Sequence, residues 1–206
     1  MNKAAIFVRM SYHDDVLFQH YLDMIYCDIN KVHQDVVRHD RSVSESNGEI
    51  FYADINKLLS KVTFAEHDVF VDLGAGLGKM VLQVYLQTAV KEVYGIEILS
   101  DLHAKAILAA KRVQQDMRDF NAGKKLTFLC GDFFEIDFQM ATILFINAIC
   151  FGQDIMIKLG QIINTIPRIH TVITLRPMNN LKRLFLKNTL YLEGSWDSAL
   201  CYIYQK

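Results

Sequence analysis

The chain has 206 residues, 51% of them hydrophobic, with 22 Lys+Arg against 23 Asp+Glu and a formal net charge of −1. That size and apolar content suit one α/β domain with a well-buried core and a short extension, and they exclude a disordered chain. No lysine- or arginine-rich tail gives the footprint of a nucleic-acid binder, no apolar run reaches the about 20 residues of a membrane span, and the N-terminus lacks a secretory pattern.

Residues 12–37 read as an amphipathic helix, with Leu17, Tyr21, Met24, Ile29, Val32 and Val36 on one face. The polar stretch RSVSESNG at 41–48 reads as a loop, and 49–62 as a second amphipathic helix. From residue 69 the pattern alternates. Strand 69–72 precedes helix 79–88, and strand 92–97 precedes helix 101–120 with Ser100 as N-cap. Strand 126–130, strand 142–147, helix 154–165 and strand 171–175 follow. Residues 179–187 look helical, and strands 189–193 and 200–204 form a terminal hairpin through GSWDS. Such alternation predicts a mostly parallel seven-stranded sheet with helices on both faces and a C-terminal antiparallel hairpin. Both prolines, Pro167 and Pro177, fall where elements should end.

The chemistry concentrates at residues 69–79, VFVDLGAGLGK. An apolar strand ends in Asp72, and Gly74, Gly76 and Gly78 follow at alternate positions. A dinucleotide site wants GxGxxG, with its acid at the end of the next strand. Here an acid stands two residues before the first glycine and the spacing is GxGxG, which favours S-adenosylmethionine over NAD. A phosphate loop fails too, because Leu73 occupies its first glycine position and Met80 follows Lys79.

Three further strand ends carry polar groups, where open α/β sheets bind ligands. Glu97 can accept both ribose hydroxyls; Asp132 can accept from an adenine amino group, with Phe133 stacking on the ring; Asn147 ends the fourth strand. Each alone reads equally as a loop acid, a cap or a core aromatic. Their order on consecutive strands makes a Rossmann-like class I methyltransferase fold the expected architecture. The four cysteines form no CxxC pair and read as small buried hydrophobes in a reducing, cytoplasmic setting. His13, His20, His33 and His39 match no metal-ligand spacing.

VFVDLGAGLGKMVLQV, VYGIEI, GDFF and ILFINAICFG resemble the motifs of the disruptor-of-telomeric-silencing family of lysine methyltransferases, which act on a lysine of the histone core. The likeness runs from Gly48-Glu49 to the C-terminus and includes Ser195-Trp196 before the last strand. It divides the chain into a helical N-terminal extension and lid loop, 1–47, and a methyltransferase domain, 48–206. It implies that Glu49, by likeness to a YGE loop that folds over the cofactor, contacts the methionine end of S-adenosylmethionine. It also implies that Asn147, Phe151 and Tyr202 line the methyl-transfer pocket, with Trp196 a further candidate wall, and that the partner is a protein carrying the acceptor lysine. The chain departs from the pattern at Asn47, where the family has an aromatic residue, and at Ala148, where it has a second asparagine. A Cys201-Tyr202 pair replaces paired tyrosines, and the family's basic nucleosome-binding tail has no counterpart.

Three alternatives stay open from the residues. One is methylation of a small molecule or another side chain. Another is a non-catalytic S-adenosylmethionine-fold subunit. An NAD-dependent oxidoreductase is the third, and the glycine spacing and the position of the acid count against it. The oligomeric state is open.

Overall fold

The apolar runs of the central strands are explained by burial on both faces, the signature of a parallel sheet covered by helices. In the computed structural model, which describes residues 15–33, 49–117 and 122–206, every residue of β1 (Val69–Leu73), β4 (Ile143–Ile146) and β5 (Thr171–Thr174) is buried. With β2 (Glu92–Glu97), β3 (Lys125–Cys130), β6 (Phe185–Gly194) and β7 (Asp197–Gln205) they form one sheet of seven strands in the order β3-β2-β1-β4-β5-β7-β6. Pairings among β1 to β5 are parallel, and β7 is antiparallel to both β5 and β6. Strand order reverses at β1, which pairs with β2 on one side and β4 on the other. The crevice at the carboxyl ends of these strands is the switch point where such folds bind ligands.

Two cores flank the sheet. α1 (Asp15–His33), α2 (Tyr52–Leu59), α3 (Lys79–Gln87) and α4 (Ser100–Asp116) pack on one side, around Phe18, Leu58, Leu82, Ala106 and Phe145. α5 (Gln153–Thr165) covers the other, around Leu73, Ile96, Ile146, Leu159 and Ile163. Register places Leu129, Ile96, Leu73, Ile146, Thr174 and Tyr202 in one row across the sheet. Tyr202 of the reversed strand thus stands level with the carboxyl end of β4, one residue from Asn147.

Several expectations shift. The buried face of α1 is Phe18, Tyr21, Leu22, Ile25, Tyr26 and Ile29, whereas Leu17 and Met24 are half-buried; the expected ends of this helix and the 41–48 loop lie outside the described residues. The second helix is shorter than expected, because Glu49 to Phe51 instead bond to the hairpin between β6 and β7. Ser100 is not the N-cap of α4: Leu99 holds that place, without a side-chain cap, and Ser100 is the first helical residue. Residues 179–187 are not a helix; β6 already begins at Phe185, and Ser195-Trp196 alone form the turn into β7. Leu181, Leu184 and Phe185 have the apolar spacing of a helix, but 179–183 form turns and bends, and from Phe185 on nine residues of β7 pair with β6 and fix it as extended. Of the cysteines among the described residues, Cys201 is buried, whereas Cys27, Cys130 and Cys150 are exposed rather than buried as expected.

Candidate active site

The turn after β1 is held open by its glycines. Gly74, Gly76 and Gly78 have φ of +87°, +55° and +82°, a left-handed region that other residues enter at a cost. At Gly78 space forbids a side chain as well: a Cβ would lie 2.5 Å from the ring of Phe128 on β3. At Gly76 a Cβ would meet nothing within 4 Å, so the turn faces open space there. Backbone ties fix it to β2. Gly74 and Ala75 N–H both donate to the carbonyl of Ile96 at 2.9 Å, and Gly76 N–H donates to Glu97 Oε2 at 2.7 Å.

Glu97, expected as a ribose acceptor, is 6% exposed, and its Oε1 accepts from Leu99 N–H at 2.8 Å. Each carboxylate oxygen retains lone-pair capacity for a ligand while holding the backbone on both sides of it. Asp72 is 2% exposed, and its Oδ1 has no hydrogen-bond partner among the described residues. Burial, and then the charge of Glu97, pushes its carboxyl well above the ordinary range. A buried acid without a partner costs stability, and a ligand that brings positive charge relieves it. Asp132 Oδ1 accepts from Phe134 N–H at 2.8 Å, which curls the chain after β3. This brings Phe133 into ring contact with Phe134 at 4.7 Å and with Phe151 at 5.6 Å.

The expected acceptor residues meet only in part. Asn147 directly follows β4 and is half-buried. Phe151 and Tyr202 pack against the same core as α5, and Phe151 stands over the glycine turn, 3.6 Å from where a Cβ of Gly74 would lie. Arg176, just past β5, donates to the carbonyl of Phe151 and fixes that loop. Trp196 does not join them. It packs against the core on the other face of the sheet, with the segment at Ile50.

Glu49 is the reverse case, reaching the turn from far away in sequence. Its carboxylate pairs with Lys79, the first residue of α3, and its Oε1 is buried with no hydrogen-bond partner among the described residues. The hairpin turn anchors it: Glu49 N–H donates to Ser195 Oγ at 3.1 Å and Ser195 N–H to Glu49 O at 2.9 Å. Sequence reading missed Lys79, Arg176 and Ile98. The signal for Ile98 was an apolar residue directly after Glu97; it is 59% exposed at the rim of the crevice, where a planar ring can cover it. Among the described residues no His, Cys, Asp and Glu cluster is placed to hold a metal ion, and no helix is long and apolar enough to cross a membrane.

A seven-stranded sheet with this strand order, a reversed seventh strand, a glycine turn after β1 and acids at the ends of β1 and β2 is the class I methyltransferase fold. Solved structures agree. An RNA methyltransferase from Salinibacter ruber in complex with S-adenosyl-L-homocysteine has a TM-score of 0.55 and 24% identity, over 73% of this chain and 88% of that one. TrmK of M. capricolum, bound to S-adenosyl-homocysteine, has a TM-score of 0.53 and 12% identity, over 77% and 70%. The family model described as "Histone methylation protein DOT1" matches residues 26–189, and the chain belongs to that family. Two relatives named "Histone-lysine N-methyltransferase, H3 lysine-79 specific" are each 28% identical, from Drosophila melanogaster over 152 residues and Caenorhabditis elegans over 133 residues. These alignments cover 68% and 61% of this chain but only 8% and 14% of those proteins.

Proposed function

We propose that this protein binds S-adenosylmethionine at the glycine turn and transfers its methyl group to the side-chain nitrogen of a lysine in a protein substrate. The observation that carries the reading is the pair of buried acids, Asp72 and Glu97, on either side of a left-handed glycine turn in a chain of this family. The residues present fit the cofactor. The unpartnered oxygens of Asp72 and Glu49 suit its positively charged methionine end, and Glu97 its ribose hydroxyls. Asp132, Phe133 and Ile98 suit its adenine. When bound, S-adenosylmethionine supplies a methyl group on an electrophilic sulfonium.

The protein's own part is placement and desolvation. A free lysine, with a pKa of about 10.4, is protonated and not nucleophilic. Phe151 and Tyr202, two aromatic side chains on one core, offer apolar walls that disfavour the ammonium and bring its pKa down. Asn147, at the end of β4, is assigned to hold the nitrogen through its side-chain oxygen. Holding donor and acceptor in line is worth several kcal/mol, with ~7–11 as the upper range. Residues 1–47 act in this reading as an extension and lid, and 48–206 as the catalytic domain. The named activity of the two relatives supports a protein lysine as acceptor. Three exposed thiols suit a reducing compartment, the cytoplasm in this reading.

The test is calorimetric titration with S-adenosylmethionine and with NAD, followed by transfer of radiolabelled methyl groups to core histones and to lysate proteins. Binding of the first alone and label on lysine is the expected result. Label on a small molecule instead, or binding with no transfer, overturns the assigned acceptor or the catalysis respectively.

A further inference from the structure

α1 stands outside the strand–helix alternation that builds the crevice, yet it sends one polar group to the glycine turn. Tyr26, 5% exposed, donates its phenolic hydroxyl to the carbonyl of Leu77 at 2.9 Å. Leu77 lies between Gly76 and Gly78, both at positive φ. The N–H groups of Gly74, Ala75 and Gly76 are tied to the end of β2, so Tyr26 holds the turn through a different group, a carbonyl further along, and from a different element. The same ring lies 5.1 Å from Lys79 Nζ, whose ammonium pairs with Glu49. Burial, and then the charge of Glu49, pushes the phenol well above its ordinary value, so the hydroxyl stays protonated and able to donate.

Packing alone does not ask for that hydroxyl. Tyr26 shares its buried face with Phe18, Leu22, Ile25 and Ile29, and phenylalanine would fill the same place. A buried hydroxyl is unfavourable unless it is bonded. Here its bond falls on the glycine turn, between two residues at positive φ.

Building on the S-adenosylmethionine reading, we propose that Tyr26 is a positioning residue for the cofactor: its hydroxyl fixes the Leu77 carbonyl and so presets the Gly76–Gly78 backbone in its open, ligand-ready form. α1 is then part of the cofactor site and not merely a cover over α4. Opening and closing of the turn without that bond dilutes the competent form and weakens binding in proportion.

The experiment compares the wild-type chain, Tyr26→Phe and Leu22→Ala. It measures S-adenosylhomocysteine affinity, the KM and kcat for S-adenosylmethionine, thermal stability, and amide hydrogen exchange across residues 74–80 in the ligand-free protein. Tyr26→Phe is expected to weaken affinity about threefold to tenfold, the range of one hydrogen bond. KM should rise to match, kcat at saturation should hold, and exchange across 74–80 should speed up more than elsewhere. Leu22→Ala, a packing control on the same helix, should lower thermal stability without that selective exchange. Wild-type affinity and wild-type exchange in Tyr26→Phe would overturn the proposal. If the wild-type chain binds neither S-adenosylmethionine nor its product, the functional reading falls. The exchange comparison then still decides, on its own, whether Tyr26 fixes the turn.

Discussion

Asp72 is a side chain whose cost to the fold and use to a ligand have opposite signs. Its carboxyl is buried and pushed upward, so between the ordinary carboxylate pKa and its raised value the folded chain binds more protons than the unfolded one. Stability therefore falls as pH rises through that window. Asp72→Asn removes the ionisation, and the ligand-free variant should melt higher than wild type at pH 7, by about 2–4 °C if the relief is ~1 kcal/mol. The same variant should lose S-adenosylhomocysteine affinity, because the charge proposed to meet the amino group is gone. Wild-type affinity should rise with pH as Asp72 ionises; calorimetry in buffers of different ionisation enthalpy should record proton release on binding. Asn147→Ala separates binding from turnover. Its cofactor affinity should stay near wild type, while kcat falls about 100-fold, the penalty of a misplaced acceptor. A collapse of binding would move Asn147 to the cofactor side of the site.

α3 depends on residues far along the chain at both of its ends. Gly78 caps its start, where Phe128 leaves no space for a side chain. At its other end Lys124 Nζ donates to the carbonyls of Tyr85 and Thr88 at 2.8 and 2.6 Å, closing groups that a helix leaves open. Burial lowers the Lys124 pKa to about 8. A neutral amine still has hydrogens for both bonds, so the folded state favours it, and Lys124 adds stability as pH rises from about 8 towards its unfolded value of about 10.4. Lys124→Met should cost about 1–2 kcal/mol, a drop of about 2–8 °C in melting temperature. The gap between variant and wild type should widen from pH 8 to pH 10; a gap that narrows there would refute the assignment. α1 illustrates what periodicity misses. Two apolar three- and four-residue series overlap on it, and only docking against α4 and the glycine turn selects the face that holds Leu22 and Tyr26.

The amino ends of the strands are locked as firmly as the carboxyl ends are left open. Asp68, 3% exposed, accepts from Ala65 N–H, Thr142 Oγ1 and His170 Nε2, each at 2.8 Å, and so ties together the approaches to β1, β4 and β5. Burial works to raise its carboxyl, but the hydrogen bonds from Ala65, His170 and Thr142 outweigh it and hold the group below the ordinary range. The stability from this arrangement is present above the unfolded pKa of about 3.9 and is lost as pH falls through the lower folded value. Asp68→Asn should cost about 2 kcal/mol at pH 7, near 4–8 °C, and should flatten the acid side of the stability profile. An unchanged acid limb in urea titrations at pH 3–5 would show that the lock lies elsewhere. Cofactor affinity should not change, since the proposed site lies at the opposite, carboxyl ends of the strands.

The alternating elements, the parallel sheet, the glycine turn and the acids at 72 and 97 were legible in the residues, because apolar period, turn chemistry and strand-end polarity are local properties of the chain. Residues 185–187 were not, since pairing with β7 from Phe185 on overrides a weak helical spacing. The same holds for Trp196, which lies close to Tyr202 in the chain but packs on the other face of the sheet. The partners of the turn were hidden too: Tyr26 is 51 residues from Leu77, and Ser195 is 146 residues from Glu49. Local sequence decides what most segments become, and strand pairing decides the segment at Phe185. Which distant side chains close around the crevice follows from how the layers pack, and that is settled only when the whole sheet is assembled.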